Sequence, residues 1–105
     1  MSDPAKVEQL TVLPIMPLRE VVMFPRAVMP LLVGREASIR AIEAAYKSRN
    51  KRIFMVTQRN PGLDNPGEED LYPVGVVCKV IQMLRLPDGS VKALFEGVHR
   101  ASWVR

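Results

Sequence analysis

The chain has 105 residues, enough for one domain around one hydrophobic core and too few for two. Hydrophobic residues make up 48% and charged residues 25%, ordinary globular values that exclude a disordered or fibrous chain. One cysteine and one histidine exclude a disulfide framework and a Cys/His metal site, and the net charge of +4 is modest.

Residues 1–9 are polar and without periodicity, which predicts a flexible N-terminal tail. They lack the basic start and apolar core of a signal peptide and are too acidic for a transit peptide. No apolar run approaches the ~20 residues of a membrane span, so the expected location is the cytoplasm, with no membrane partner.

From Met16 to Arg35 the chain reads MPLREVVMFPRAVMPLLVGR, dense in large apolar side chains and broken by Pro17, Pro25 and Pro30. Each proline removes a donor and pushes its predecessor toward extended backbone, so a continuous helix is forbidden. The pattern predicts a strand over Val12–Met16, a kinked crossing at Phe24-Pro25 and a second strand over Ala27–Val33. Pro30 cannot donate to a ladder, which places that second strand at an edge or on a bulge. Gly34 then releases the chain into a helix over Glu36–Ser48. Ile39, Ile42, Ala45 and Tyr46 fall on one stripe of it, and Arg40, Glu43 and Lys47 on the other, with Glu43 spaced to pair with Lys47. Asn50 is the expected stop.

Ile53–Gln58 is rich in strand formers and predicts a central strand with Phe54 in the core. Arg59–Tyr72 follows as a long exposed acidic loop. Pro73–Leu86 alternates as one extended strand. Val74, Val76, Cys78 and Val80 face one way, Val76 in the core, while Val77, Lys79, Ile81 and Met83 face the other. Leu86-Pro87-Asp88-Gly89-Ser90 is a turn, and Val91, Ala93 and Phe95 return on one face. At Gly97 the apolar parity moves to Val98, the mark of a bulge or sharp bend. Cys78, inside a run of valines, is expected as a buried thiol in a reducing compartment. Ser102-Trp103-Val104-Arg105 still reads as strand, so a longer protein, cut at its C-terminal end, is expected.

Chemistry is sparse. No glycine-rich loop precedes a Lys-Ser or Lys-Thr pair, and no serine sits in a Gly-x-Ser-x-Gly elbow. His99 has no companion nucleophile in sight, and Glu68, Glu69 and Asp70 read as a solvated acidic run rather than a cation site. Catalysis is not expected, and neither is a bound cofactor or metal. Binding remains. The internal methionines Met16, Met23, Met29, Met55 and Met83 suit adaptable surfaces, although most are expected to fill core gaps. The kinked 23–32 segment and the helix start are the better candidates. Met23, Phe24, Met29, Leu31 and Leu32 would form an apolar, adaptable surface, flanked by the charges of Arg35, Glu36 and Arg40.

Several spaced motifs share one resemblance. Pro17-Leu18-Arg19, Val21-Val22, Phe24-Pro25, the Val28–Leu31 segment and Val33-Gly34-Arg35 precede a helix of form E-x-S-I-R-x-I-E-A-A. Gln82–Gly89 and Glu96–Ala101 follow in order, and Met16 stands where Leu is frequent. From about Leu13 to Ala101 the chain resembles the N-terminal domain of the Lon family of ATP-dependent proteases. The resemblance implies an α+β, mainly β fold, a PUA-like pseudobarrel of about six strands, occupying residues 10–105, with one α-helix between the second and third. It further implies a non-catalytic substrate-recognition and assembly module, whose partners are unfolded or damaged proteins. The parent would be a homohexameric ATP-dependent serine endopeptidase for misfolded, damaged and some short-lived regulatory proteins. ATP and Mg would bind a separate ATPase module, and a serine and a lysine elsewhere would do the chemistry.

The alternative is a nucleic-acid-binding PUA-like module using the Arg35–Arg52 basic patch, which holds six basic residues against two acidic ones. Against it, Tyr46 is the only aromatic in that run and lies on the apolar stripe, so no stacking platform accompanies the charge.

Overall fold

A computed structural model describes residues 12–19 and 21–103. The expected tail at residues 1–9 lies outside them. Five strands and one helix follow in the order β1 (Ile15–Leu18), β2 (Val28–Val33), α1 (Glu36–Lys47), β3 (Arg52–Thr57), β4 (Val74–Arg85) and β5 (Val91–Ser102). The strands form one sheet in the order β1-β3-β4-β5-β2. The mainly β, α+β class holds, with the helix between the second and third strands. Five strands form where about six were expected, because the irregularity at Gly97 is absorbed within β5 instead of ending it.

Both prolines of the edge strands sit where a missing donor is tolerated. Pro17 lies in β1, which pairs only with β3 and runs parallel to it, from Ile15 opposite Phe54 to Leu18 opposite Thr57. Pro30 lies in the middle of β2, which pairs only with β5. Between the two strands, Phe24-Pro25-Arg26-Ala27 makes a tight reversal closed by Ala27 N–H donating to Phe24 O at 3.2 Å. Pro25 presets the second position, and Arg26 takes φ 69° at the third, the left-handed value of a type II turn.

That turn lies directly over β5. Arg26 N–H donates to Gly97 O and Gly97 N–H to Ala27 O, each at 2.8 Å. A Cβ on Gly97 would stand 2.1 Å from Phe24 O, so only glycine lets the two backbones meet. The parity change read at Gly97 is a true bulge, since Val77 pairs with His99 but Cys78 pairs with Gly97, leaving Val98 as the extra residue.

A second bulge was not anticipated. Val80 pairs with Phe95 and Gln82 with Leu94, so Ile81 is extra and every later residue of β4 changes face. Met83 therefore packs on the same core as Val76, Cys78 and Val80, opposite to its expected side.

The helix ends one residue earlier than expected, at Lys47. Ser48 Oγ donates to Ala45 O at 2.6 Å, and the Lys51 ammonium donates to Tyr46 O at 2.9 Å while lying 4.1 Å from the Tyr46 ring centre. These groups, rather than Asn50, satisfy the helix C-terminus. Glu43 pairs not with Lys47 but with Arg85, which ties the helix to the end of β4.

β3 is covered on both faces. Ile53 and Met55 join Ile42 and Ala45 of α1 and Val80, Val91 and Phe95 in the main core. Phe54 and Val56 join Leu71 and Val77 in a smaller cluster on the other face, with Leu13, Ala101 and Trp103 packed against it. Phe54 and Val76 are core residues, as expected, at 7% and 5% exposure.

The 59–70 loop is exposed but pinned. Arg19 donates to Pro61 O at 2.8 Å and pairs with Asp64 at 2.7 Å, and Arg35 donates to Leu63 O at 3.1 Å. The buried Gln58 side chain donates to Asn60 O and Leu63 O, each at 3.0 Å. Asp70, one of the three consecutive acids, caps its own turn by accepting from Gly67 N–H at 2.8 Å.

Candidate functional site: a bare sheet face

The face of the sheet away from α1 is only half covered. The Phe54 cluster occupies one end, and at the other the side chains of β2, β5 and β4 stand in rows set by register. Leu32, Lys92 and Leu84 form one row, then Pro30, Leu94 and Gln82, then Val28, Glu96 and Lys79. Their inward neighbours Met29, Leu31 and Val33 on β2, and Val91, Ala93 and Phe95 on β5, fill the main core. Leu32, Leu84 and Val28 are 69%, 59% and 56% exposed, far more than leucine and valine normally are. Lys92, Glu96 and Lys79 are also exposed, so an apolar strip carries charges of both signs along its centre and border.

The candidate residues read from sequence separate across the molecule. Leu32 lies on this bare face. Met29 and Leu31 are half-buried and turned to the core, because β2 alternates and its odd residues pack against the main cluster. Met23, within the crossing segment, is a core residue at 4% exposure and is not available as a surface. Phe24 is half-exposed and lies at a separate recess with Arg100. Glu36 and Arg40 pair with each other at 3.0 Å on the exposed first turn of α1. Arg35 precedes that turn, and partial burial, then the neighbouring Arg19, pull its guanidinium pKa below the usual value while Asp64 opposes them.

Leu84, Leu94 and Lys92 were missed. Placing Val91, Ala93 and Phe95 inward already puts Lys92, Leu94 and Glu96 outward, so Leu94 was legible from alternation. Leu84 was not, since the Ile81 bulge decides its face.

Among the described residues no group of three His, Cys, Asp or Glu side chains is placed to hold a metal ion. Cys78 is fully buried, and desolvation pushes its thiol up to about 12, which keeps it protonated and inert at neutral pH.

Residues 12–105 match the family model of the ATP-dependent protease La (LON) substrate-binding domain. The chain belongs to the Lon substrate-binding domain family. Lon protease of Nitratidesulfovibrio vulgaris is 63% identical over 91 residues, covering 87% of this chain and 11% of that protein. Lon protease of Escherichia coli K12 is 48% identical over 99 residues, covering 94% of this chain and 12% of that protein. The chain thus spans only about an eighth of the Lon relatives it matches. In fold it is similar to the N-terminal domain of Mycobacterium avium complex Lon protease, with TM-score 0.69 and 22% identity over 89% of this chain and 45% of that one. The Lon N-terminal domain protein of Xanthomonas campestris gives TM-score 0.65 and 17% identity over 91% and 51%. No helix among the described residues is long and apolar enough to cross a membrane.

Proposed function

We propose that this domain captures unfolded or damaged polypeptides for an ATP-dependent serine protease of Lon type, and that the bare face of β2, β5 and β4 is where they land. The observation that carries the reading is the exposure of Leu32, Leu84 and Val28 in register with Lys92 and Glu96. Unfolded chains expose apolar segments of no fixed sequence, and a flat apolar strip bordered by mixed charge suits such partners. Arg35 is held to Leu63 O, and Glu36 and Arg40 to each other on α1, so the charges of the face itself, Lys92, Glu96 and Lys79, would orient the bound segment. The parent protein would be a cytoplasmic homohexamer, with ATP and Mg in its ATPase module and hydrolysis in its protease domain.

The test is an NMR titration of the chain with an unfolded model protein. Amide shifts are expected along Val28–Leu32, Lys92–Glu96 and at Leu84. Leu32→Asp with Leu84→Asp should weaken capture at least tenfold without loss of fold, since both side chains are exposed. Shifts confined to other surfaces, or unchanged affinity in the double variant, would sink the assignment. In the parent, reversing Lys92 to Glu should slow degradation of unfolded protein and leave substrate-free ATP hydrolysis unchanged. Nothing in the geometry favours the nucleic-acid alternative, because Arg35, Arg40 and Lys51 of the basic run are engaged with Leu63 O, Glu36 and Tyr46.

A further inference from the structure

A second concavity lies away from the bare face, beside the segment that crosses from β1 to β2. A groove of about 540 Å³ is lined by Arg19, Gln58, Tyr72 and Pro73, and it continues into a recess of about 190 Å³ across Val22, Thr57 and Val74, which line both. Val22 and Val74 are half-exposed at 51% and 50%, and Met55 with Gly75 walls the inner recess. The volume suits one or two large side chains.

Two further observations say what belongs there. The first is charge. No acidic side chain among the described residues lines either part, whereas Arg19 lines one and Arg100 the other. The Arg59 guanidinium lies 4.9 Å from the ring centre of Tyr72 at the same groove. Arg19 is partly neutralised by Asp64, but Arg59 and Arg100 make no ion pair among the described residues. The second is an orphaned acceptor. Gln58 lines the groove at 1% exposure, and its amide nitrogen spends its donors on Asn60 O and Leu63 O. That pairing fixes the amide orientation, since a flipped amide would set its oxygen against two carbonyls. Its Oε1 is left buried with no hydrogen-bond partner. Such an acceptor is costly to leave unpaired, and a donor delivered from the groove would recover the loss.

We propose that this groove docks an extended peptide segment with an apolar side chain between carboxylates. The apolar side chain fills the space between Val22 and Val74, and the carboxylates meet Arg100 on one side and Arg59 on the other. Gln58 Oε1 is itself covered, so binding includes a small movement of the groove wall. A backbone N–H of the peptide, directly or through one bridging water, then supplies the donor that this oxygen lacks. This rests on the reading of the domain as a reader of polypeptide, and it adds a chemical preference that the bare face does not have. A flat strip accepts greasy sequence in general, whereas the groove would select apolar residues in an acidic context.

The experiment is fluorescence anisotropy on the full chain with a labelled decapeptide, a central Phe-Leu pair between pairs of Glu, against the same peptide with Lys for Glu. Binding of the Glu peptide at least tenfold tighter than the Lys peptide is expected, falling at least tenfold in Arg100→Glu and in Val74→Asp. Both positions are exposed, so each variant should keep the fold, and either one alone tests the site. On binding, the Gln58 side-chain carbonyl ¹³C resonance should shift, a change that non-specific attraction to arginine would not produce. Equal binding of the two peptides, an unmoved Gln58 carbonyl, or occupancy by single-stranded RNA alone would overturn the proposal. If the unfolded protein shifts Leu32 and Leu94 while the Glu peptide leaves Val22 and Val74 unmoved, the groove fails and the bare-face reading stands. If the Glu peptide moves Val22 and Val74 while the bare face stays silent to unfolded protein, the groove stands and that reading fails.

Discussion

Gly97 shows how one residue can set an approach distance. Two backbone hydrogen bonds join it to Arg26 and Ala27, and its missing side chain is what lets Phe24 O come near. In Gly97→Ala the new methyl meets the backbone of Phe24 and Pro25, where no rotamer change relieves it. The substitution should cost more than about 2 kcal/mol in urea denaturation, well above a surface change. Asp64 makes a smaller and pH-dependent contribution. Its hydrogen bond to Arg19, and then the charge of Arg19, hold the carboxyl below its ordinary 3.8. A carboxyl with a depressed folded pKa stabilises above its unfolded value, and the contribution vanishes as pH falls through the folded one. The 59–70 loop should therefore loosen only below pH 3.8. A ¹³C titration of Asp64 should show a midpoint under that value that moves upward in Arg19→Gln.

Among the elements, β2 carries both an attraction and its restraint. It is an edge strand with large apolar side chains facing outward, the usual description of an aggregation site. Pro30 interrupts its middle, and with no N–H it offers a neighbouring chain a broken ladder. Pro30→Val restores the donor, and sedimentation velocity should then show dimers or larger species at concentrations where the native chain is monomeric. The proline's consequence was readable from sequence, because its chemistry is local. The strand β4 was readable only in part. Its length and its hairpin partner follow from alternation and from Pro87-Asp88-Gly89, whereas the extra residue Ile81 arises from fitting two twisted strands together and leaves no mark in either one. For the same reason Met23, Met29 and Leu31 were assigned to a surface and proved to face inward. Apolar density identifies a buried or binding segment but does not say which side of it is dry.

At the scale of the whole molecule, β3 divides the apolar residues into two layers. Phe54 belongs to the thinner one, with Val56, Leu71 and Val77, a layer that includes no residue of α1. Phe54→Ala should cost about 3–5 kcal/mol in thermal or denaturant unfolding, as for other buried aromatics. A loss under about 1 kcal/mol would mean that the thinner layer is not a core at all. The helix was legible from its periodicity, β3 from its run of strand formers between polar residues, and the fold class from the motifs shared with the Lon family. Arg19, Gln58 and the pinned 59–70 loop were not, because their partners lie about forty residues away or are backbone carbonyls that any sequence offers.

The strand order has a consequence for synthesis. β1 and β2 are made first, yet they stand at opposite edges of the sheet, and the sole partner of β2 is β5, which is made last. On a ribosome, at roughly 5–20 residues per second, β2 waits several seconds with Val28, Met29 and Leu32 unpaired. Its greasy side chains are thus first displayed on the nascent protein, long before they can serve the mature one. Stalled nascent chains that have not yet exposed Val91–Ser102 outside the exit tunnel should be cut readily between Val28 and Val33 by a low dose of protease. Chains that have exposed it should resist, and the switch should be abrupt with length, since β2 gains its whole ladder from one hairpin arm.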